Sequence, residues 1–139
     1  MKFILFIFLI ISTGLRAQVP NIDKIDDAVV LIKIYDYKGQ YVGHGSGFSI
    51  SKEGVIVTNY HVVEGSYSMK VVFDKNGYKS TYNVDKIISG SEVKDLAKIS
   101  IKRKSSSETF PYLRFATSLP KKGSECWAVG TPAKEEYMN

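Results

Sequence analysis

The chain has 139 residues, with 19 basic against 14 acidic side chains and an apolar share of 44%. That length is a prior for one domain, and this apolar content beside 24% charged residues excludes general disorder. Abundant Gly, Tyr and Phe, with clustered β-branched residues, favour strands over helices.

Behind Lys2, the run Phe3 to Ile11 is unbroken apolar sequence; Ser12, Thr13 and Gly14 interrupt it, and Ala17 is a small residue suited to a cleavage position. This is the pattern of a secretory signal peptide over residues 1–17, with Gln18 as the new N-terminus. A spanning helix needs about 20 apolar residues, so membrane contact is expected only transiently, through this segment. The chain is expected in the periplasm or outside the cell. Cleavage removes Lys2 and Arg16 and leaves 17 basic against 14 acidic residues, a scattered excess of +3.

Pro20 to Asp27 predicts a short helix, with Asn21 as N-cap and Asp23 in the first turn. Ala28 to Tyr35 is β-rich and ends at a polar turn around Lys38-Gly39. Tyr41 and Val42 lead into Gly43-His44-Gly45-Ser46-Gly47, where alternate glycines permit a sharp bend or a close backbone approach. Phe48 to Ser51 and Val55 to Thr58 flank the turn Lys52-Glu53-Gly54. Asn59 to Glu64 predicts a single helical turn. Met69 to Asp74 and Tyr78 to Val84 are alternating strands joined through Asn76-Gly77, the strongest short hairpin signal; Lys86 to Ile88 extend the second strand past a bend or bulge. Leu96 to Ile101 is a sixth strand. Ser105 to Pro120 reads as a connector, and Glu125 to Val129 as a seventh strand with no partners of its own.

Six antiparallel strands with tight turns can close into a small barrel that abolishes its edges. The fold class is therefore all-β: a first β-barrel over residues 18–104, then a connector and the start of a second unit over residues 105–139. Cys126 is the single cysteine, so no internal disulfide forms, and its apolar surroundings read as burial. Lys102-Arg103-Lys104 runs into serines as a solvated loop; without interleaved aromatics or a long basic stripe, no nucleic-acid partner is expected. No metal or cofactor is expected, because His-x-x-x-His, cysteine pairs and phosphate-cradling glycine loops are absent from the sequence.

His44 reads as a turn histidine. His61 follows two β-rich strands at a strand-to-turn junction, where an imidazole can be held at the rim of a cleft with one nitrogen free. Asp95 opens the sixth strand, where a carboxylate can fix the tautomer of a histidine. Spacing alone leaves open that the two are unrelated surface residues.

Several motifs add to that reading: Gly45-Ser46-Gly47-Phe48 with Ile50-Ser51, then Gly54-Val55-Ile56-Val57-Thr58-Asn59-Tyr60-His61-Val62-Val63, Asp95-Leu96-Ala97-Lys98-Ile99, Pro111-Tyr112-Leu113 and Val129-Gly130-Thr131-Pro132. In this order the chain, from Ala28 to Pro132, resembles the N-terminal half of a trypsin-like serine protease catalytic domain of the HtrA/Do bacterial type. The resemblance implies a two-barrel fold with His61 as general base, Asp95 as its orienting acid, and polypeptides or unfolded proteins as substrates. It also implies a nucleophilic serine in a Gly-x-Ser-Gly-Gly segment of the second barrel, and this sequence holds no such segment. Neither Ser46, Ser124 nor Cys126 combines the flanking glycines with the location a nucleophile needs. The expectation is a truncated endopeptidase fragment carrying His61 and Asp95 and inactive alone. The alternative is a non-catalytic peptide- or protein-binding module of the cell envelope.

Overall fold

The computed structural model describes residues 22–131. The expected signal peptide, the helix cap Asn21 and the tail from 132 onward lie outside the described residues. A short helix α1 (Ile22–Asp26) precedes β1 (Val29–Tyr35), β2 (Tyr41–Ser49), β3 (Val55–Thr58), the one-turn helix α2 (Tyr60–Val63), β4 (Ser68–Lys75), β5 (Tyr78–Ser91) and β6 (Leu96–Ile101). The strands close into an antiparallel barrel in the order β1-β2-β3-β6-β5-β4, sealed where β1 meets β4 from Val30↔Phe73 to Tyr35↔Ser68. Closure leaves no edge strand to satisfy.

The interior follows from the period-two pattern of the strands. Val30 and Ile32 from β1, Ile56 from β3, Met69, Val71 and Phe73 from β4, Tyr82 from β5, and Ala97, Ile99 and Ile101 from β6 form one buried cluster. Burying a Val, Ile, Met or Phe side chain contributes about 1.5–3 kcal/mol. Phe110 belongs to the same cluster, although it lies in the expected connector. Its ring stacks on Phe73 at 5.2 Å and meets Tyr82 edge-on at 5.0 Å. Backbone bonds from Phe110 N to Lys52 O (3.0 Å) and from Leu113 N to Ser49 O (2.9 Å) hold this plug at one end of the barrel.

The alternate glycines sit inside a continuous nine-residue β2 and make no bend. Their spacing instead matches the large residues opposite: Ile34 pairs with Gly43, Ile32 with Gly45 and Val30 with Gly47. The Asn-Gly hairpin forms as the sequence predicts, with Asn76 and Gly77 at φ 53° and 85° and Asp74 Oδ1 accepting from Gly77 N at 2.8 Å. The extension of the second strand is also present. β5 continues to Ser91 through register shifts between Val84 and Lys86 and between Ile87 and Ser89.

One element differs from expectation. Glu125 to Val129 forms no strand and lies exposed. The physical reason is the closed barrel, which offers no free ladder for a seventh strand to join. Ser46 holds the end of this segment: its hydroxyl accepts from Thr131 N at 3.1 Å and donates to Thr131 O at 3.4 Å. Cys126 is exposed rather than buried, for the same reason. Among the described residues, no helix is long and apolar enough to cross a membrane.

Candidate active site

The site begins with α2, a single turn between β3 and β4. Val62 and Val63 bury against the barrel interior, which leaves His61 facing outward from the same turn. Two close approaches fix this turn. A Cβ on Gly45 would sit 2.5 Å from Val62 Cγ2, and a Cβ on Gly90 would sit 3.0 Å from Tyr60 Cδ2. Glycine on β2 and on β5 therefore lets the backbone of both strands press against α2. Thr58 Oγ1 donates to Ser46 O at 2.8 Å and ties the end of β3 to β2.

Asp95 arrives from the other side, at the head of β6. The turn before it is closed by Asp95 N donating to Glu92 O at 2.9 Å. Asp95 itself adopts φ 47°, a left-handed conformation uncommon for a residue with a side chain. The carboxylate then meets His61 twice. Oδ1 accepts from His61 backbone N–H at 3.0 Å, and ring Nδ1 lies 3.0 Å from Oδ1 and 2.8 Å from Oδ2. Asn59 Nδ2 donates to Asp95 O and to Asp95 Oδ2, each at 3.1 Å.

These donors hold the Asp95 carboxyl below its ordinary range: first the backbone N–H of His61, then the His61 ring, then Asn59, against an opposing contribution from burial. Asp95 is thus an anion at neutral pH and can only accept. It follows that His61 Nδ1 carries the proton in this contact, which in the neutral imidazole leaves the lone pair on Nε2. The His61 side chain is 67% exposed, so a reactant can approach it. An imidazole in this state can take a proton at Nε2 and be stabilised as the cation by the carboxylate at Nδ1.

The two residues singled out from the sequence are therefore brought into direct contact across 34 positions of chain. His44 is elsewhere, with Nδ1 2.7 Å from Tyr41 Oη. Ser46 is engaged with Thr131, and no hydrogen bond joins it to His61 among the described residues. Neither do three His, Cys, Asp or Glu side chains gather as metal ligands among the described residues. The contacts of Asn59, Gly90 and Tyr60 were not foreseen. The one available signal was Asn59 itself, an N-cap residue type placed two positions before the histidine.

Residues 45–139 match the family model described as the trypsin-like peptidase domain, and the chain belongs to that family. Similar curated proteins include serine protease HTRA1 of Xenopus laevis, 38% identical over 88 residues, or 60% of this chain and 18% of that protein. A probable periplasmic serine endoprotease DegP-like of Chlamydia pneumoniae is 39% identical over 90 residues, 63% of this chain and 17% of that protein. Anti-sigma-I factor RsgI9 of Acetivibrio thermocellus is 35% identical over 77 residues, 55% of this chain and 10% of that protein. The chain thus spans less than a fifth of the length of these relatives. The MamO protease domain from Magnetospirillum magneticum, in its apo form, shares the fold at a TM-score of 0.53 and 20% identity, covering 66% of this chain and 45% of that one.

Proposed function

We propose that His61 and Asp95 are the general base and orienting carboxylate of an exported, HtrA-like serine endopeptidase, acting on polypeptide or unfolded-protein substrates. The observation that carries this is the 2.8 Å contact between His61 Nδ1 and Asp95 Oδ2. In the reaction, a serine Oγ attacks the scissile carbonyl while His61 Nε2 takes its proton. The tetrahedral intermediate collapses with that proton passing to the leaving amine, and water repeats the sequence to free the acyl group.

Residues 1–139 hold no Gly-x-Ser-Gly-Gly segment, and the described serines make no bond to His61. A single oxyanion-hole donor contributes about 3–4 kcal/mol to such a reaction, so nucleophile and donors must both be supplied for turnover. This stretch alone is therefore inactive. A second reading, a non-catalytic peptide- or protein-binding module of the envelope, draws on a cavity of about 540 Å³ lined by Phe48, Val57, Leu96, Leu113, Trp127 and Val129.

Casein hydrolysis tests both. The 139-residue chain is expected to be inert with or without His61→Ala. A polypeptide in which a Gly-x-Ser-Gly-Gly segment follows in frame is expected to hydrolyse casein and to lose about 10⁴-fold or more of kcat with His61→Ala. Casein binding without turnover by that longer polypeptide would favour the second reading. Turnover indifferent to His61 would overturn the first.

A further inference from the structure

We propose that Asn59 is a positioning residue: its carboxamide ties the carbonyl of Asp95 to the carboxylate of Asp95 and so holds both carboxylate oxygens against His61. The proposal rests on the reading of His61 and Asp95 as base and orienting acid.

Asn59 occupies the N-cap position of α2, at φ −76° and ψ 150°. An asparagine there ordinarily accepts a hydrogen bond from an N–H of the first turn through its side chain. This one makes no such bond. The N–H of His61, the second residue of that turn, goes instead to Asp95 Oδ1 at 3.0 Å. The carboxylate of a distant residue has therefore taken over the capping of α2, where negative charge is favoured. Asn59 is left free for another task.

Its NH₂ group then donates at 3.1 Å to Asp95 O and at 3.1 Å to Asp95 Oδ2. A carboxamide NH₂ has two hydrogens, enough for the two acceptors that this one residue offers. That residue sits at φ 47°, a conformation that persists only where its surroundings fix it. The bond to the carbonyl restrains the backbone of Asp95, and the bond to Oδ2 restrains its side-chain torsion. Together they leave Oδ1 and Oδ2 at 3.0 and 2.8 Å from His61 Nδ1.

The test is nuclear magnetic resonance on the labelled chain and on Asn59→Ala, Asn59→Ser and Asn59→Asp, reading solvent exchange of the His61 Nδ1 proton and the titration of the Asp95 carboxyl. Amide protection in β3 and β6 reports that each variant is folded. All three substitutions are expected to speed exchange by about tenfold or more, the scale of losing a hydrogen bond to a charged group. They are also expected to move the Asp95 titration up toward its ordinary range. Neither serine nor aspartate offers the carboxamide NH₂, so slow exchange retained in Asn59→Ser and Asn59→Asp would mean that these donors do not hold the carboxylate, and would overturn the proposal. A wild-type His61 without a proton on Nδ1 would instead refute the underlying base-and-acid reading. A protonated Nδ1 indifferent to all three substitutions would refute this proposal alone.

Discussion

Asp95 concentrates the chemistry of the site in one exposed carboxylate. Its native titration lies below the ordinary aspartate value of 3.8, chiefly through the His61 backbone N–H. The sign of the linkage follows. A group depressed in the native state contributes stability that is complete above its unfolded value and is lost as pH falls through its native value. Glu108 acts with the same sign, held down first by Lys104 N–H at 2.7 Å and then by the Tyr82 hydroxyl at 2.8 Å. Urea midpoints are therefore expected to fall as pH drops from about 6 to about 2. Asp95→Ala is expected to flatten that fall in part and to leave the contribution of Glu108. An unchanged acid limb in Asp95→Ala would remove the native bonds of Asp95 from the account.

At the scale of elements, α2 is held in place by the absence of side chains on the strands around it. A methyl group on Gly45 would meet Val62 Cγ2 at 2.5 Å and Cγ1 at 2.7 Å. Valine is stiff at χ1, and Val62 is 5% exposed, so the turn must shift outward. Gly45→Ala is expected to cost about 1–3 kcal/mol by overpacking, read from chemical denaturation, and Val62→Ala in the same chain is expected to recover part of it. A neutral Gly45→Ala would mean that β2 and α2 are not in close contact. The strands themselves were legible because their inward residues recur with period two, as Met69, Val71 and Phe73 do in β4. The contact of His61 with Asp95 was legible only through family resemblance, because their spacing carries no information about a closed barrel. Three features had no local signal. The plug formed by Phe110 depends on an aromatic cluster assembled from β4, β5 and the connector. The role of the β2 glycines depends on which residues face them. The unformed strand at Glu125 to Val129 depends on whether a ladder is on offer.

At the scale of the whole molecule, one apolar face is left uncovered among the described residues. Phe48, Val57 and Leu96 line two neighbouring grooves on the barrel, one completed by Trp127 and Val129 and the other by Phe115. Phe115 and Trp127 are each more than half exposed. Contiguous apolar surface of this kind drives association. The chain is expected to bind a hydrophobic dye and to elute larger than a monomer, with both signals reduced by Phe115→Asp combined with Trp127→Asp. A monomer that binds no dye and melts in one sharp transition would mean this face is covered within the chain itself.

The most direct test of the account lies in the protonation of one ring. At neutral pH, nitrogen shifts of His61 in the intact chain are predicted to report a proton on Nδ1 and a lone pair on Nε2, with Asp95→Ala releasing that preference. A wild-type ring protonated on Nε2, or one unaffected by the loss of Asp95, would contradict the assignment of this pair as a base and the acid that orients it.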